Sequence, residues 1–229
     1  MIQIDDAGSG SLIGGTCIGA MRVETGEFYY EILPIELYSK NAFRKKLYLD
    51  YVIEIVQRCF KELEVGGDEK IEVCRGYMFD KLRKWFKNEN YNYESVTITD
   101  PLQTKIEDTF EKYTISLGLP KDYIRYTKYP FHFHTLLKWV YSDYENRTKL
   151  CKTGWKSWAK YGNLKTEISY DIIEKSNYLC LKCGKPIEDN SKVRIIKYTS
   201  NREATIYVHS SCTVESLQGE TDTKCKEAK

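Results

Sequence analysis

The fold class this sequence predicts is α/β, with a small cysteine-rich module at the C-terminal end. Three observations carry that prediction. Apolar segments over the first 35 residues are joined by short glycine-containing turns. Stretches with apolar residues at helical spacing then alternate with short β-branched runs up to about residue 117. Finally, two Cys/His pairs of matched spacing lie between residues 180 and 212.

The elements follow in order. Residues 2–6 are an apolar strand ending in Asp5 and Asp6, and Ala7-Gly8-Ser9-Gly10 is a turn. A small-residue and apolar run over 14–23 is a second strand, and Glu24-Thr25-Gly26-Glu27 a tight turn. Residues 28–35 form the third strand, so the three make an antiparallel meander. Ser39 caps a long helix over 39–63, with Leu47, Tyr51, Ile55 and Val56 at helical spacing, and Gly66-Gly67-Asp68 ends it. A strand over 70–74 puts Ile71 and Val73 on one face. A helix over 79–86 and a strand over 95–99 come next, and Asp100-Pro101 opens a helix running to Leu117 before the stop at Gly118-Leu119-Pro120. Further helices are expected over 133–144 and 166–176, and the last ten residues read as a disordered tail.

Size and composition set bounds. The 229 residues, 41% hydrophobic, can build one large domain, or one of about 100–150 residues with a smaller module. The expected division is a core over 1–120, a basic aromatic segment over 121–165 completing the core or linking, and a metal-binding module with tail over 166–229. No run reaches the ~18 apolar residues of a membrane span. The start, Met-Ile-Gln-Ile-Asp-Asp, lacks the pattern of a signal peptide. A cytoplasmic protein is therefore expected, with Cys17, Cys59, Cys74 and Cys151 as free thiols. Charge is uneven: residues 1–120 hold 15 Lys/Arg against 20 Asp/Glu, and the rest hold 20 against 13. Anion contacts are expected in the second half.

The cysteine module reads Cys180-Leu-Lys-Cys183-Gly184, then a polar hairpin within 191–207, then His209-Ser-Ser-Cys212. Two thiols three residues apart and followed by Gly form a knuckle that aims both at one point. The second pair repeats the spacing with His in place of one Cys. Four N/S ligands complete a tetrahedral zinc site, which predicts a structural ion at Cys180, Cys183, His209 and Cys212. Cys225 is a weaker candidate because its surroundings offer no second ligand. With a helix starting near His209, the module resembles a treble-clef finger over about 35 residues.

The first strand ends in Ile4-Asp5-Asp6-Ala7-Gly8-Ser9, and the fourth carries Ile71-Glu72-Val73. With the order strand-strand-strand-helix-strand-helix-strand-helix, residues 1–150 resemble the ribonuclease H-like superfamily, in particular its RuvC-type branch. The resemblance implies a mixed sheet with Asp5 and Glu72 on neighbouring central strands. It also implies an acid from the last helix, for which Asp143 and Glu145 are the candidates. Carboxylates so gathered would hold Mg²⁺ or Mn²⁺ for phosphodiester cleavage. Strand alternation sends Asp6 to the opposite face from Asp5.

Residues 121–165 hold ten Lys/Arg, three Asp/Glu and eleven aromatics. Cations neutralise phosphates, and exposed rings stack on unpaired bases. Arg125, Lys128, Lys152, Lys156 and Lys160 are the candidate nucleic-acid contacts, and His132 and His134 candidate phosphate donors. The expected function is a divalent-metal-dependent nuclease acting on structured or single-stranded nucleic acid. The alternatives are a non-catalytic nucleic-acid-binding protein or a protein–protein adaptor on the same fold.

Overall fold

The computed structural model describes residues 1–213. Alternation along β1 (Ile2–Ala7) sorts its side chains onto two faces. Ile2 and Ile4 enter one apolar cluster, and Ala7 enters another. The strand is therefore central and covered on both sides. Antiparallel β2 (Cys17–Arg22) pairs with β1, and β3 (Phe28–Ile32) with β2, giving the expected meander. On the other edge of β1, β4 (Ile71–Cys74) runs parallel, followed by parallel β5 (Tyr93–Val96). The result is a mixed five-stranded sheet of order β3-β2-β1-β4-β5.

Helices cover the sheet because their apolar stripes match its faces. After α1 (Lys40–Arg44), α2 (Leu47–Glu62) lays Val52, Ile55, Val56 and Cys59 against Ile2, Ile4, Ile18 and Ala20. Each such side chain contributes roughly 1.5–3 kcal/mol on burial. Phe86 of α3 (Asp80–Asn88) joins that cluster. On the opposite face, α4 (Leu102–Ser116) packs Leu102, Ile106 and Phe110 against Ala7, Cys17 and Met21. Gly8, at φ +85°, closes the turn after β1, and a Cβ there would sit 2.0 Å from the Phe110 ring. Only glycine lets the helix approach that closely.

A second layer follows. It contains α5 (Lys121–Tyr126), α6 (Phe133–Ser142), α7 (Tyr144–Arg147) and α8 (Lys156–Tyr161). A three-stranded antiparallel sheet completes it: β6 (Glu167–Ile173), β7 (Ser191–Thr199) and β8 (Glu203–His209), in that order. Leu136, Leu137 and Val140 of α6 pack with Ile196, Ile206 and Val208 of the sheet, and Leu12 and Ile13 of the first layer reach into this core. Segment 121–165 thus belongs to the second core and also touches the first. No helix among the described residues is long and apolar enough to cross a membrane.

Three expectations need correction. The helix expected over 39–63 is broken at Lys46, which adopts φ +56°, so α1 and α2 are separate. The strand expected over 95–99 lies earlier, at Tyr93–Val96, where Tyr93 pairs with Ile71. Residues 166–176 are not helical: β6 alternates Ile168, Tyr170 and Ile172 with polar residues, and pairing with β7 decides the matter. The helix expected to begin near His209 is met within the described residues by a 3₁₀ turn, Ser210–Thr213, and its continuation lies outside them. The tail and Cys225 lie outside the described residues.

Lys152 is the fourth and largest correction. It is 0% exposed, so it cannot meet a nucleic acid at the surface. Its ammonium donates to the Gly8 carbonyl at 2.6 Å and to Thr16 Oγ1 at 3.2 Å, and lies over the Tyr38 ring. Burial pulls its pKa down to about 7, opposed by the negative charge of Asp6. Asp6 is pushed up to about 6 by burial, although Ser9 hydrogen-bonds it. Replacing Lys152 with Met should cost about 2–4 kcal/mol in urea unfolding, because the Gly8 carbonyl and the Thr16 hydroxyl lose their buried donor. The folded protein holds this proton less tightly than the unfolded chain. Lys152 therefore adds stability as pH rises above about 7, and the gap between wild type and Lys152→Met should widen from pH 7 to 9. A gap below 0.5 kcal/mol, flat with pH, would contradict a buried cation tie.

Candidate functional site

The knuckle is built by local backbone bonds. Gly184 N–H donates to the Cys180 carbonyl at 2.8 Å, and Cys180 N–H donates to the Lys185 carbonyl at 2.9 Å. Gly184 adopts φ +77° and packs on Pro120, so the loop turns back sharply after Cys183. The second pair comes from the end of β8 and the turn beyond it. Register places His209 beside Val193 of β7, and His209 N–H donates to Cys180 Sγ at 3.4 Å.

The ligand atoms of Cys180, Cys183, His209 and Cys212 all lie within 4.8 Å of one another. Cys183 Sγ is 3.3 Å from His209 Nδ1, and Cys212 Sγ is 3.8 Å from it. A tetrahedral ion bonded at ~2.3 Å to sulfur and ~2.0 Å to nitrogen spaces its ligands about 3.5–3.8 Å apart. The group can therefore hold a metal such as zinc. The imidazole is preset for this. Its Nε2 lies 3.0 Å from the Pro186 carbonyl, which can only accept, so Nε2 carries the proton and Nδ1 turns its lone pair to the thiols.

Arg147 fastens this site to the helical layer. The buried guanidinium donates to the carbonyls of Leu181 (2.9 Å) and Lys182 (2.8 Å), both inside the knuckle, and to Trp139 O and Ser142 Oγ. Burial lowers its pKa to about 10, leaving it charged at neutral pH. Sequence reasoning passed over Arg147 as one of many cations. The clue available was its place inside a run otherwise rich in buried aromatics.

The four candidate acids are not gathered. Asp5 and Glu72 share a sheet face, but the register pairs Glu72 with Gln3. Glu72 accepts from Gln3 Nε2 (3.0 Å) and from Lys70 Nζ (3.1 Å). These two donors lower its pKa, Gln3 first. Continuing the register sets Asp5 beside Cys74, whose thiol hydrogen-bonds it. Burial raises the Asp5 pKa, opposed by that thiol and the Asp6 amide, while Glu107 of α4 adds negative charge. Asp143 and Glu145 instead line a cleft with Lys182 and Arg194 at the second sheet, and Asp143 pairs with Lys182 at 3.4 Å. Among the described residues, the Cys180/Cys183/His209/Cys212 set is the metal-capable group of three or more such side chains. Glu107 was missed, although Ile106 and Phe110 mark the inward stripe that it flanks.

The remaining cations stay at the surface. Arg125, Lys128, Lys156 and Lys160 are exposed. Arg125 lies over the Tyr126 ring (5.6 Å), Lys128 over Tyr129 (5.2 Å) and Lys160 over Tyr161 (4.7 Å). Comparison with protein-family models and with curated proteins finds no match for the chain.

Protein purified without chelator should carry about one equivalent of metal per chain by elemental analysis. Cys183→Ser should lower that content and expose the second layer to protease, while β1–β5 stay protected. Wild-type protein that is folded and metal-free would sink the assignment.

Proposed function

We propose that this chain is a nucleic-acid-binding protein on a ribonuclease H-like core, with its C-terminal site holding one structural zinc ion. The sheet order β3-β2-β1-β4-β5 supports the core assignment, since an antiparallel meander followed by two parallel strands is what the resemblance implies. Four protein ligands fill a tetrahedron and leave no position for substrate, which supports a structural role for zinc. Thiolate ligands of this kind suit a reducing compartment such as the cytoplasm.

One observation carries the binding reading. Tyr126 and Tyr129 are 76% and 69% exposed, and each has a cation against its ring. An apolar ring turned to water beside a positive charge suits an unpaired base and its phosphate. Stacking of this sort contributes about 1–3 kcal/mol per base. Lys156 and Lys160 extend the basic surface from α8.

Fluorescence anisotropy with single-stranded and branched DNA and RNA tests this. Affinity should fall steeply with salt. Tyr126→Ala with Tyr129→Ala should weaken binding about tenfold or more, and Lys156→Glu with Lys160→Glu should reduce the salt slope. Undetectable binding at low salt would favour the adaptor reading, in which the exposed Ile168, Tyr170 and Ile172 of β6 offer the contact.

Metal-dependent cleavage is a second reading, favoured by the position of Asp5 on the central strand, on the sheet face that α4 covers, where Glu107 adds negative charge. Mg²⁺ or Mn²⁺ would be held there by Asp5 with an acid from α4. Under that reading Asp5→Asn abolishes cleavage and leaves binding intact or tighter, and Ca²⁺ supports binding only. No cleavage by wild type with Mg²⁺ or Mn²⁺ on any strand form would dismiss it.

A further inference from the structure

The N-terminal turn of α6 and the hairpin between β7 and β8 enclose a cavity of about 450 Å³. His132, His134, Lys138, Ser200 and Arg202 line it. One carboxylate, Glu203, also lines it; it is mostly exposed and lies 4.0 Å from Lys197. Lys138 and Arg202 have no ion pair or side-chain hydrogen bond among the described residues. Cations that outnumber the carboxylates around them repel one another, and an anion between them relieves that repulsion.

The polar network points the same way. Tyr161 OH donates to Asn201 Oδ1, which leaves Asn201 Nδ2 facing His134 Nε2 at 3.1 Å. An amide nitrogen can only donate, so Nε2 accepts. Nδ1 then carries the ring proton and donates to Ser200 Oγ at 3.2 Å. Ser200 has its lone pair occupied and its own hydroxyl proton left to give. The chain of donors thus ends at a hydroxyl on the cavity wall. Burial lowers the pKa of His134, and the neighbouring His132 and Lys160 of α8 act in the same direction.

We propose that this cavity is a phosphate-binding site, taking a phosphate monoester through Lys138, Arg202, His132 and the Ser200 hydroxyl. Phosphate fits better than carboxylate, because three terminal oxygens can accept from donors on separate elements at once. The volume accommodates a nucleotide-sized group attached to that phosphate. The site stands apart from the stacking residues Tyr126 and Tyr129, so it does not depend on the nucleic-acid reading. It does share His134 and Lys138 with the neighbouring cleft that Tyr123 and Thr127 line, so one molecule could reach both.

The chain has three histidines, which makes the test clean. Imidazole nitrogen NMR of the metal-loaded protein near pH 7 is recorded during titration with inorganic phosphate, at ionic strength matched with chloride. His132 and His134 should shift and saturate, with His134 gaining proton affinity, while His209 stays still as an internal reference for folding. Lys138→Gln and Arg202→Gln should each weaken phosphate binding about tenfold or more. No saturable shift in wild type, or shifts unchanged in both variants, would overturn the site. Competition with short oligonucleotides bearing a 5′-phosphate or a 5′-hydroxyl then names the source. Tighter binding of the phosphorylated strand assigns the pocket to strand ends. Competition by neither assigns it to small phosphate-bearing molecules, and equal competition by the two would overturn the preference for a monoester. Since Tyr126→Ala with Tyr129→Ala leaves this titration unaltered, failure here and failure of strand binding are separable.

Discussion

Both layers depend on one short segment whose two buried cations bind main-chain carbonyls. Arg147 grips the knuckle through Leu181 and Lys182, and Lys152 grips the turn after β1 through Gly8. Between them the backbone is tied to the loop of the first layer. Lys152 N–H donates to Leu12 O and Gly14 N–H to Leu150 O, with a bridge between Ile13 and Cys151. Removing a cation from water costs several kcal/mol, and only full hydrogen bonding offsets it. Each charge-assisted bond returns about 1.5–3 kcal/mol. Few placements bring four acceptors to the Arg147 guanidinium together, so this segment sets where the metal site lies relative to the β1 turn. The gain is in specificity of arrangement more than in stability.

How much of this could be read beforehand depended on the range of the interaction concerned. The meander, β4 and the body of α2 follow from periods of 2 and 3.6 in adjacent residues. The metal ligands were legible for a similar reason: two thiols on one tight turn converge whatever the rest of the chain does. By contrast, β6 was misread because Ile168, Ile172 and Ile173 fit either period in a short window, and only pairing with β7 selects the strand. The break at Lys46 leaves no mark in the apolar pattern. Lys152 looked like any other cation of a basic run. Nothing local distinguishes a lysine that faces water from one that faces Gly8, 144 residues away.

The acids show the same limit more sharply. That Asp5 and Glu72 occupy neighbouring strands follows from topology, and they do share a face. Whether they meet depends on register, which adjacent residues do not encode. One pair of offset moves a side chain by two residues, about 6.6 Å along a strand. Gln3 and Lys70 take Glu72, and a thiol takes the place beside Asp5. The carboxylate that does act on Asp5 comes from α4, the helix that covers this face of the sheet.

The excess of positive charge in the second half acquires a physical meaning once its members are sorted by environment. Arg147 and Lys152 are internal and already satisfied, so they contribute little field outside. Lys182 and Lys197 face carboxylates. Among the others, Arg125, Lys128, Lys138, Lys156, Lys160 and Arg202 lie on or beside α5, α6, α8 and the β7–β8 turn. Arg125, Lys128 and Lys160 lie against aromatic rings, and Lys138 and Arg202 line the cavity beside α6. A fold selected for stability alone would pair such groups with the acids that are plentiful elsewhere on the chain. Leaving them unpaired costs mutual repulsion in the free protein, and a phosphate group removes that cost on binding. The same argument explains why the acids cluster in residues 1–120: there they pair with the cations of their own layer, as Glu31 does with Arg58 and Glu69 with Arg22. On the proposed reading, the asymmetry between the halves separates charges that hold the fold from charges that meet an anion.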